Sequence, residues 1–158
     1  MRPLLPTSWR ADPSALLPTD PSRYHGPALP RWFAVACLVL VTVRSLVHLL
    51  SPDGGAHTIA TIDLSNGGGS NIVGLFGQWG AIQLLLALLL WTIAVRYRGL
   101  LPLVLTTLLL EPALRAFAGH LKPITTVGIA PGAAFNWYLA PLIAAALYLS
   151  VCPTGDTR

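Results

Sequence analysis

The sequence predicts an all-α fold, an integral membrane bundle of four transmembrane helices with a disordered N-terminal tail. Of its 158 residues, 54% are hydrophobic and only 10% are charged, whereas a soluble domain has about 25% charged residues. The hydrophobic residues form four stretches, each long enough to cross about 30 Å of hydrocarbon as a helix. We predict spans at residues 32–50, 72–95, 100–118 and 132–151, within a membrane domain of residues 31–152.

The first 30 residues differ in composition from the rest of the chain, because they contain seven prolines and show no hydrophobic period. Proline lacks a backbone N–H and interrupts helices, so we predict a mostly disordered cytoplasmic tail at residues 1–30. A short cytoplasmic tail is expected at residues 153–158. The segment before the first span does not resemble a signal peptide, since the apolar stretch begins late and contains Arg44.

The orientation follows from the basic residues near the spans, because short cytoplasmic loops carry an excess of Lys and Arg. Arg96 and Arg98 lie between the second and third spans, and Arg23 and Arg31 precede the first span. The connection at residues 51–71 contains neither Lys nor Arg. Both termini are therefore expected in the cytoplasm. The bias toward Arg, Ala, Leu, Pro and Gly is typical of GC-rich bacterial genomes, so a bacterial inner membrane is the expected location.

The net charge of +4 does not indicate a nucleic-acid partner. Most arginines lie in the tail or at the ends of spans, and no basic cluster contains interleaved aromatic residues. Cys37 and Cys152 form no C-x-x-C motif, so we interpret both as buried, reduced side chains. Asp53, His57 and Asp63 match no established metal-ligand spacing, and no metal site is predicted.

Charged side chains in the middle of two spans indicate a polar site within the bilayer. A charge near the bilayer centre costs roughly 2.5–3.5 kcal/mol on insertion scales, so it persists where it is paired or used. Arg44 and Glu111 are 12 and 11 residues from the starts of the first and third spans. These two spans run in the same direction, so the two side chains are expected at the same height and in contact.

The other spans are expected to add polar groups to the same layer. His48 and Arg115 lie one helical turn beyond the expected pair, and Gln78 and Asn136 reach a similar depth on the second and fourth spans. The predicted ligand-binding residues near the outer leaflet are Arg44, His48, Gln78, Glu111, Arg115 and Asn136.

This polar layer has two interpretations. Two guanidiniums and one carboxylate leave one positive charge, which an amphipathic anion, a lipid headgroup or a chloride ion would balance. Alternatively, the charges only fix helix packing in a non-catalytic subunit or scaffold of a membrane complex. A glutamate with a histidine one turn away is able to act as acid and base, but no residue identifies a substrate or a cofactor. Whether the protein is an enzyme therefore stays open.

The second span begins with Gly74, Gly77 and Gly80. Small residues allow helices to approach closely in lipid. We predict that these glycines pack against another helix of the same chain, with a homodimer contact as the alternative.

Three segments carry a resemblance to a known family: VRSLVHLLSPDGG, NIVGLFGQWGAIQ and LLLEPALRAFAGHLKP. Over residues 32–151 the chain resembles the DoxX-like and related small four-helix bacterial membrane proteins. Some DoxX-like proteins are linked to sulfur–quinone or redox complexes. The resemblance therefore implies a four-helix membrane fold and a subunit or quinone-facing role, but it transfers no catalytic residue to this chain.

The predicted orientation is tested by labelling single cysteines from outside intact cells with an impermeant thiol reagent. We expect Ser65→Cys to be labelled, because it lies in an external connection, and Ser14→Cys to be protected until the cells are opened. The opposite pattern would contradict the orientation.

Overall fold

The computed structural model describes residues 3–65, 67–128 and 130–155, and these residues form an all-helical structure. Its long helices are α1 (Ala28–Leu50), α2 (Gly69–Arg96), α3 (Leu101–Leu121) and α4 (Pro131–Ser150). Short 3-10 helices occur at Pro13–Leu16 and at Arg98–Leu100, where the second one joins α2 to α3. The all-α class predicted from the sequence is confirmed.

Among the described residues, three helical segments are long and apolar enough to cross a membrane: α1, α2 and the stretch Arg98–Leu121 that contains α3. This finding is compatible with the predicted membrane protein. α4 has 20 residues, but its described apolar stretch covers only Tyr138–Ser150 and is shorter than a span. The fourth crossing is therefore not confirmed.

The buried apolar residues concentrate at one end of the bundle, where residues 3–27, the end of α4 and the α2–α3 turn lie; we call this the terminal end. The buried residues of α3 are Leu101, Pro102, Val104, Leu105 and Leu108, all in its first half. Beyond Leu108 the helix contains no buried residue. At the opposite end, the loop end, α3 is thus loosely packed.

α1 and α2 remain in contact toward the loop end, because a glycine lets their backbones approach. A Cβ atom on Gly80 would lie 2.7 Å from the Leu49 nitrogen and 2.8 Å from the His48 carbonyl carbon. Around Gly74 and Gly77 there is open space within 4 Å of the corresponding position. Of the three glycines predicted to pack closely within the chain, only Gly80 therefore does so in the described structure.

Residues 3–27 lie across the terminal end of the bundle, and their one helix is the four-residue segment Pro13–Leu16; the disorder that their proline content predicts stays a prediction. We call this segment the N-terminal strap. Tyr24 and Pro27 are buried. Prolines restrict the chain before it folds, so ordering this segment costs less entropy. Three backbone hydrogen bonds of 2.8–2.9 Å attach the strap to the helix ends: Asp12 N–H to Val151 O, Gly99 N–H to Pro21 O, and Thr154 N–H to His25 O.

The α1–α2 connection folds over the loop end. Its turn begins at Asp53, whose carboxylate accepts hydrogen bonds from the backbone N–H groups of Gly55, His57 and Thr58. These bonds, that of Thr58 first, hold the pKa of Asp53 well below its usual range. The turn then joins the α3–α4 connection, where Val127 N–H donates to the Thr61 carbonyl at 2.8 Å.

The close contact at Gly80 predicts that two similar substitutions have opposite effects. Gly80→Ala should destabilise the bundle by about 1–3 kcal/mol, because the added methyl group meets the α1 backbone. Gly77→Ala is the matched control, and it should be neutral or stabilising by up to about 1 kcal/mol, since its site is open. Thermal unfolding in detergent measures both changes, and equal shifts in melting temperature would contradict the close crossing.

Candidate functional site

The centre of the candidate site is the carboxylate of Glu111, which lies ten residues from each end of α3. Its Oε1 accepts a charge-assisted hydrogen bond from Arg44 Nη2 of α1 at 3.2 Å. Its Oε2 accepts one from Arg115 Nη2, one turn further along α3, at 3.4 Å. The structure therefore brings together the three charged residues that the sequence places in one layer.

Gln83 of α2 completes this group. Its Nε2 donates to Glu111 Oε1 at 3.1 Å, and its Oε1 accepts from Arg44 Nη2 at 3.3 Å. A carboxylate accepts only and a guanidinium donates only, so this amide orientation alone satisfies both neighbours. Gln83 is 6% exposed and connects the mid-section of α2 to the ion pairs. We call these four residues, Arg44, Gln83, Glu111 and Arg115, the polar cluster.

The polar cluster has more hydrogen-bond donors and more positive charge than its own acceptors satisfy. Both arginines bind Glu111 through Nη2. The Nε atoms of Arg44 and Arg115 are buried and have no hydrogen-bond partner in the described part of the chain. Guanidiniums stay protonated in proteins. Two cations and one carboxylate thus carry a net charge of about +1, which an apolar surrounding disfavours strongly.

One side of the polar cluster is accessible. The side chains of Arg44, Glu111 and Arg115 keep 24%, 27% and 32% of their surface exposed. Just beyond them, Leu114 and Phe117 of α3 are 63% and 61% exposed. The cluster therefore lies at the level where α3 loses its tight packing, and apolar side chains follow it toward the loop end. We call this loosely packed region along α3 the lateral opening.

A proline contributes to the local structure of this region. Pro112 directly follows Glu111 inside α3, and it has no N–H to offer the Leu108 carbonyl four residues earlier. Leu108 is also the last buried residue of the helix. The regular hydrogen bonding and the close packing of α3 thus both change at the polar cluster.

His48 belongs to a neighbouring contact rather than to the polar cluster. Its Nδ1 lies 2.7 Å from the Gly54 carbonyl oxygen, and a carbonyl only accepts, so Nδ1 carries the proton. The ring is 2% exposed and packs at 4.7 Å from the Trp79 ring. Trp79 also faces the Arg44 guanidinium at 5.9 Å. His48 therefore fastens the α1–α2 connection to α1.

The remaining two predicted site residues are not found in the polar cluster. Gln78 is exposed on α2. It lies five positions before Gln83, and five positions rotate a helix by one full turn plus about 140°, so the two side chains point in different directions. The side chain of Asn136 lies outside what the structure describes. The sequence does contain a pattern that would have pointed to Gln83, because small and apolar residues recur around it at a spacing of three or four. These residues form the buried face of α2: Gly80, Gln83, Ala87, Leu90 and Ala94.

A separate open groove of about 540 Å³ lies on the surface at the loop end. The Asp53 carboxylate in its wall is already bonded to backbone N–H groups. Among the described residues, no group of three or more His, Cys, Asp and Glu side chains is arranged to hold a metal ion. The groove is lined by Pro52, Asp53, His57, Thr58, Asp63, Leu64 and Ser65.

Comparison of the chain with protein-family models, curated proteins and solved structures gives no match.

The central position of Glu111 predicts an order of stability among variants. Glu111→Gln should cost about 3–5 kcal/mol, because it leaves two arginines without a counter-charge in an apolar environment. Arg44→Met should cost less, since Arg115 still neutralises Glu111.

The triple change Arg44→Met, Glu111→Leu, Arg115→Met serves as the control, because it removes all three charges together. Replacement of a complete buried ion pair by apolar residues is often close to neutral. Unfolding in detergent should rank the triple variant above Glu111→Gln in stability. A triple variant as unstable as Glu111→Gln would show that the ion pairs are not what Glu111 contributes.

Proposed function

We propose that this protein crosses a bacterial inner membrane four times, with both termini in the cytoplasm, and binds an amphipathic ligand at the polar cluster. The ligand's head would be anionic, as in an acidic lipid, and would contact Arg44 and Arg115. Its apolar tail would lie along the lateral opening. Membership of the DoxX-like proteins, and a quinone as ligand, are proposed on the resemblance of the sequence segments alone.

The observation that carries this proposal is the uncompensated charge. Glu111 is shared between Arg44 and Arg115, and both Nε atoms are buried without a hydrogen-bond partner among the described residues. A buried charge persists only when it is paired or hydrated. An anionic head would neutralise the excess charge. It would also accept hydrogen bonds from the arginine N–H groups that do not donate to Glu111 or Gln83.

The lateral opening supports access from the bilayer rather than from water. Leu114, Phe117 and Leu121 are each more than 60% exposed, so the region beside the polar cluster has an apolar surface. At the loop end, the α1–α2 and α3–α4 connections are joined by the hydrogen bond from Val127 N–H to the Thr61 carbonyl. An acyl or isoprenoid chain matches this surface, because burying its methylene groups contributes about 0.8 kcal/mol each.

A second function is favoured by a different observation. Gln83 uses both ends of its amide within the polar cluster, so α1, α2 and α3 are held together without any ligand. This arrangement would suit a non-catalytic subunit or scaffold in which the polar residues fix helix packing. Such a protein would be purified in a defined ratio with a partner and would contain no bound amphipathic molecule.

Ligand binding to the purified protein distinguishes the two functions. The probes are dihexanoyl phosphatidylglycerol, which is anionic, and dihexanoyl phosphatidylcholine, which has no net charge. We expect the anionic lipid to bind more tightly. Arg115→Gln should weaken its binding about tenfold or more, the value typical of a lost charged hydrogen bond, without unfolding the bundle. Mass spectrometry of the untreated preparation identifies any lipid or quinone that remains bound.

Lys122→Gln is the matched control, because it removes the same charge just after the end of α3 but outside the polar cluster. It should leave the affinity for phosphatidylglycerol unchanged. Equal affinities of the wild type and Arg115→Gln would rule out the polar cluster as the binding site and would leave its packing role.

A further inference from the structure

The N-terminal strap exposes large apolar side chains that its fold does not use. Leu4, Leu5, Trp9 and Leu17 are 64%, 50%, 60% and 68% exposed. The strap is nevertheless fixed to the bundle by backbone hydrogen bonds, so these side chains are presented from an ordered segment. Several exposed apolar groups on one short segment indicate a surface for interaction.

The strap lies beside the helix flanks at the terminal end. Leu29 N–H, in the first turn of α1, donates to the Leu4 carbonyl at 3.3 Å, and Leu29 is itself 44% exposed. Tyr148, near the end of α4, donates from its hydroxyl to the Trp9 carbonyl at 2.6 Å and is 46% exposed. Tyr and Trp are enriched where a membrane meets water, so the attachment of Trp9 to Tyr148 is expected at the level of that boundary.

The charges around these apolar groups are mainly positive. Two aspartates, Asp12 and Asp20, have carboxylates that accept hydrogen bonds from Ser14 and Ser22, which hold the pKa of each below its usual range. Both aspartates are therefore ionised near pH 7, and the Asp20 carboxylate lies 3.4 Å from Arg23 Nε. The described strap, the start of α1 and the α2–α3 turn contain five arginines against these two acids: Arg10, Arg23, Arg31, Arg96 and Arg98.

We propose that the N-terminal strap is a membrane-surface anchor that binds anionic phospholipids of the leaflet at the terminal end. Leu4, Leu5, Trp9 and Leu17 insert into the boundary region, while the arginines contact the headgroups. Apolar insertion combined with basic charge is the general basis of such interfacial binding. The proposal depends on the helices crossing the membrane, but it is independent of any ligand at the polar cluster.

The test uses the full chain with a single nitroxide label, reconstituted into vesicles of phosphatidylcholine alone or mixed with phosphatidylglycerol. The labelled variants are Leu5→Cys and Leu17→Cys, with Thr19→Cys as the matched control, an exposed polar position on the same strap. Cys37 and Cys152 are buried, and the wild-type chain treated identically gives the background labelling. Relaxation by oxygen, which partitions into lipid, is compared with relaxation by a water-soluble nickel chelate.

We expect the oxygen-to-nickel accessibility ratio to be several-fold higher at positions 5 and 17 than at position 19. It should rise further when phosphatidylglycerol is present. Adding Arg10→Gln to the labelled variants should reduce the rise, because each basic residue near an anionic surface contributes about a fivefold change in association.

Equal ratios at the three positions, or ratios that do not depend on phosphatidylglycerol, would overturn the proposal. Equal ratios would mean that the strap covers the aqueous end of the bundle, and ratios independent of phosphatidylglycerol would mean that it enters the boundary without binding anionic headgroups. Resistance of the reconstituted protein to alkaline extraction is measured in the same samples, so a chain that does not span the membrane is recognised separately.

Discussion

The structure depends on one carboxylate at the centre of α3. Glu111 pairs with Arg44 of α1 and Arg115 of its own helix, and Gln83 extends the contact to α2. Three helices are therefore linked at one height by groups that cannot be left unpaired in an apolar medium without a large cost in free energy. This requirement fixes the vertical alignment of the helices more strictly than apolar packing does, because leucine-rich surfaces are able to slide past each other with little penalty.

The polar cluster also marks the boundary between two kinds of packing. On one side of it, the buried residues of α1 to α4 form a common core; on the other side, α3 has no buried residue. The N-terminal strap lies across one end of the bundle, and at the other end a hydrogen bond between Thr61 and Val127 joins the two connections. The charges of the polar cluster are partly exposed, and exposed apolar side chains of α3 lie next to them.

The sequence predicts the charged part of the site because the rise of a helix is constant. Counting from the ends of two parallel spans is enough to place Arg44 beside Glu111. The same count takes Ile72 as the outer start of the second span and therefore selects Gln78. In the structure α2 begins at Gly69 and meets the end of α1 at Gly80, so the residue level with Glu111 is Gln83. Counting along a helix also does not predict contacts made by the connections, such as the contact of His48 with the Gly54 carbonyl in the α1–α2 connection. The path of the strap likewise depends on partners such as Val151, far away in the sequence, whereas proline content reports only that no long helix forms there.

The separation of the ion pair along the chain has a consequence for biosynthesis. Residues 44 and 111 lie on α1 and α3, so α1 and α2 are synthesised before Glu111 has been made. During that interval, Arg44 has only neutral Gln83 as its polar partner in the cluster. A lone arginine within a span is costly on insertion scales, and the arrival of α3 lowers this cost because Glu111 then binds the Arg44 guanidinium. The nascent helical hairpin is thus incomplete until the third helix joins it. A ribosome that stalls between these helices would leave a chain with an unneutralised charge, which membrane quality control is able to recognise.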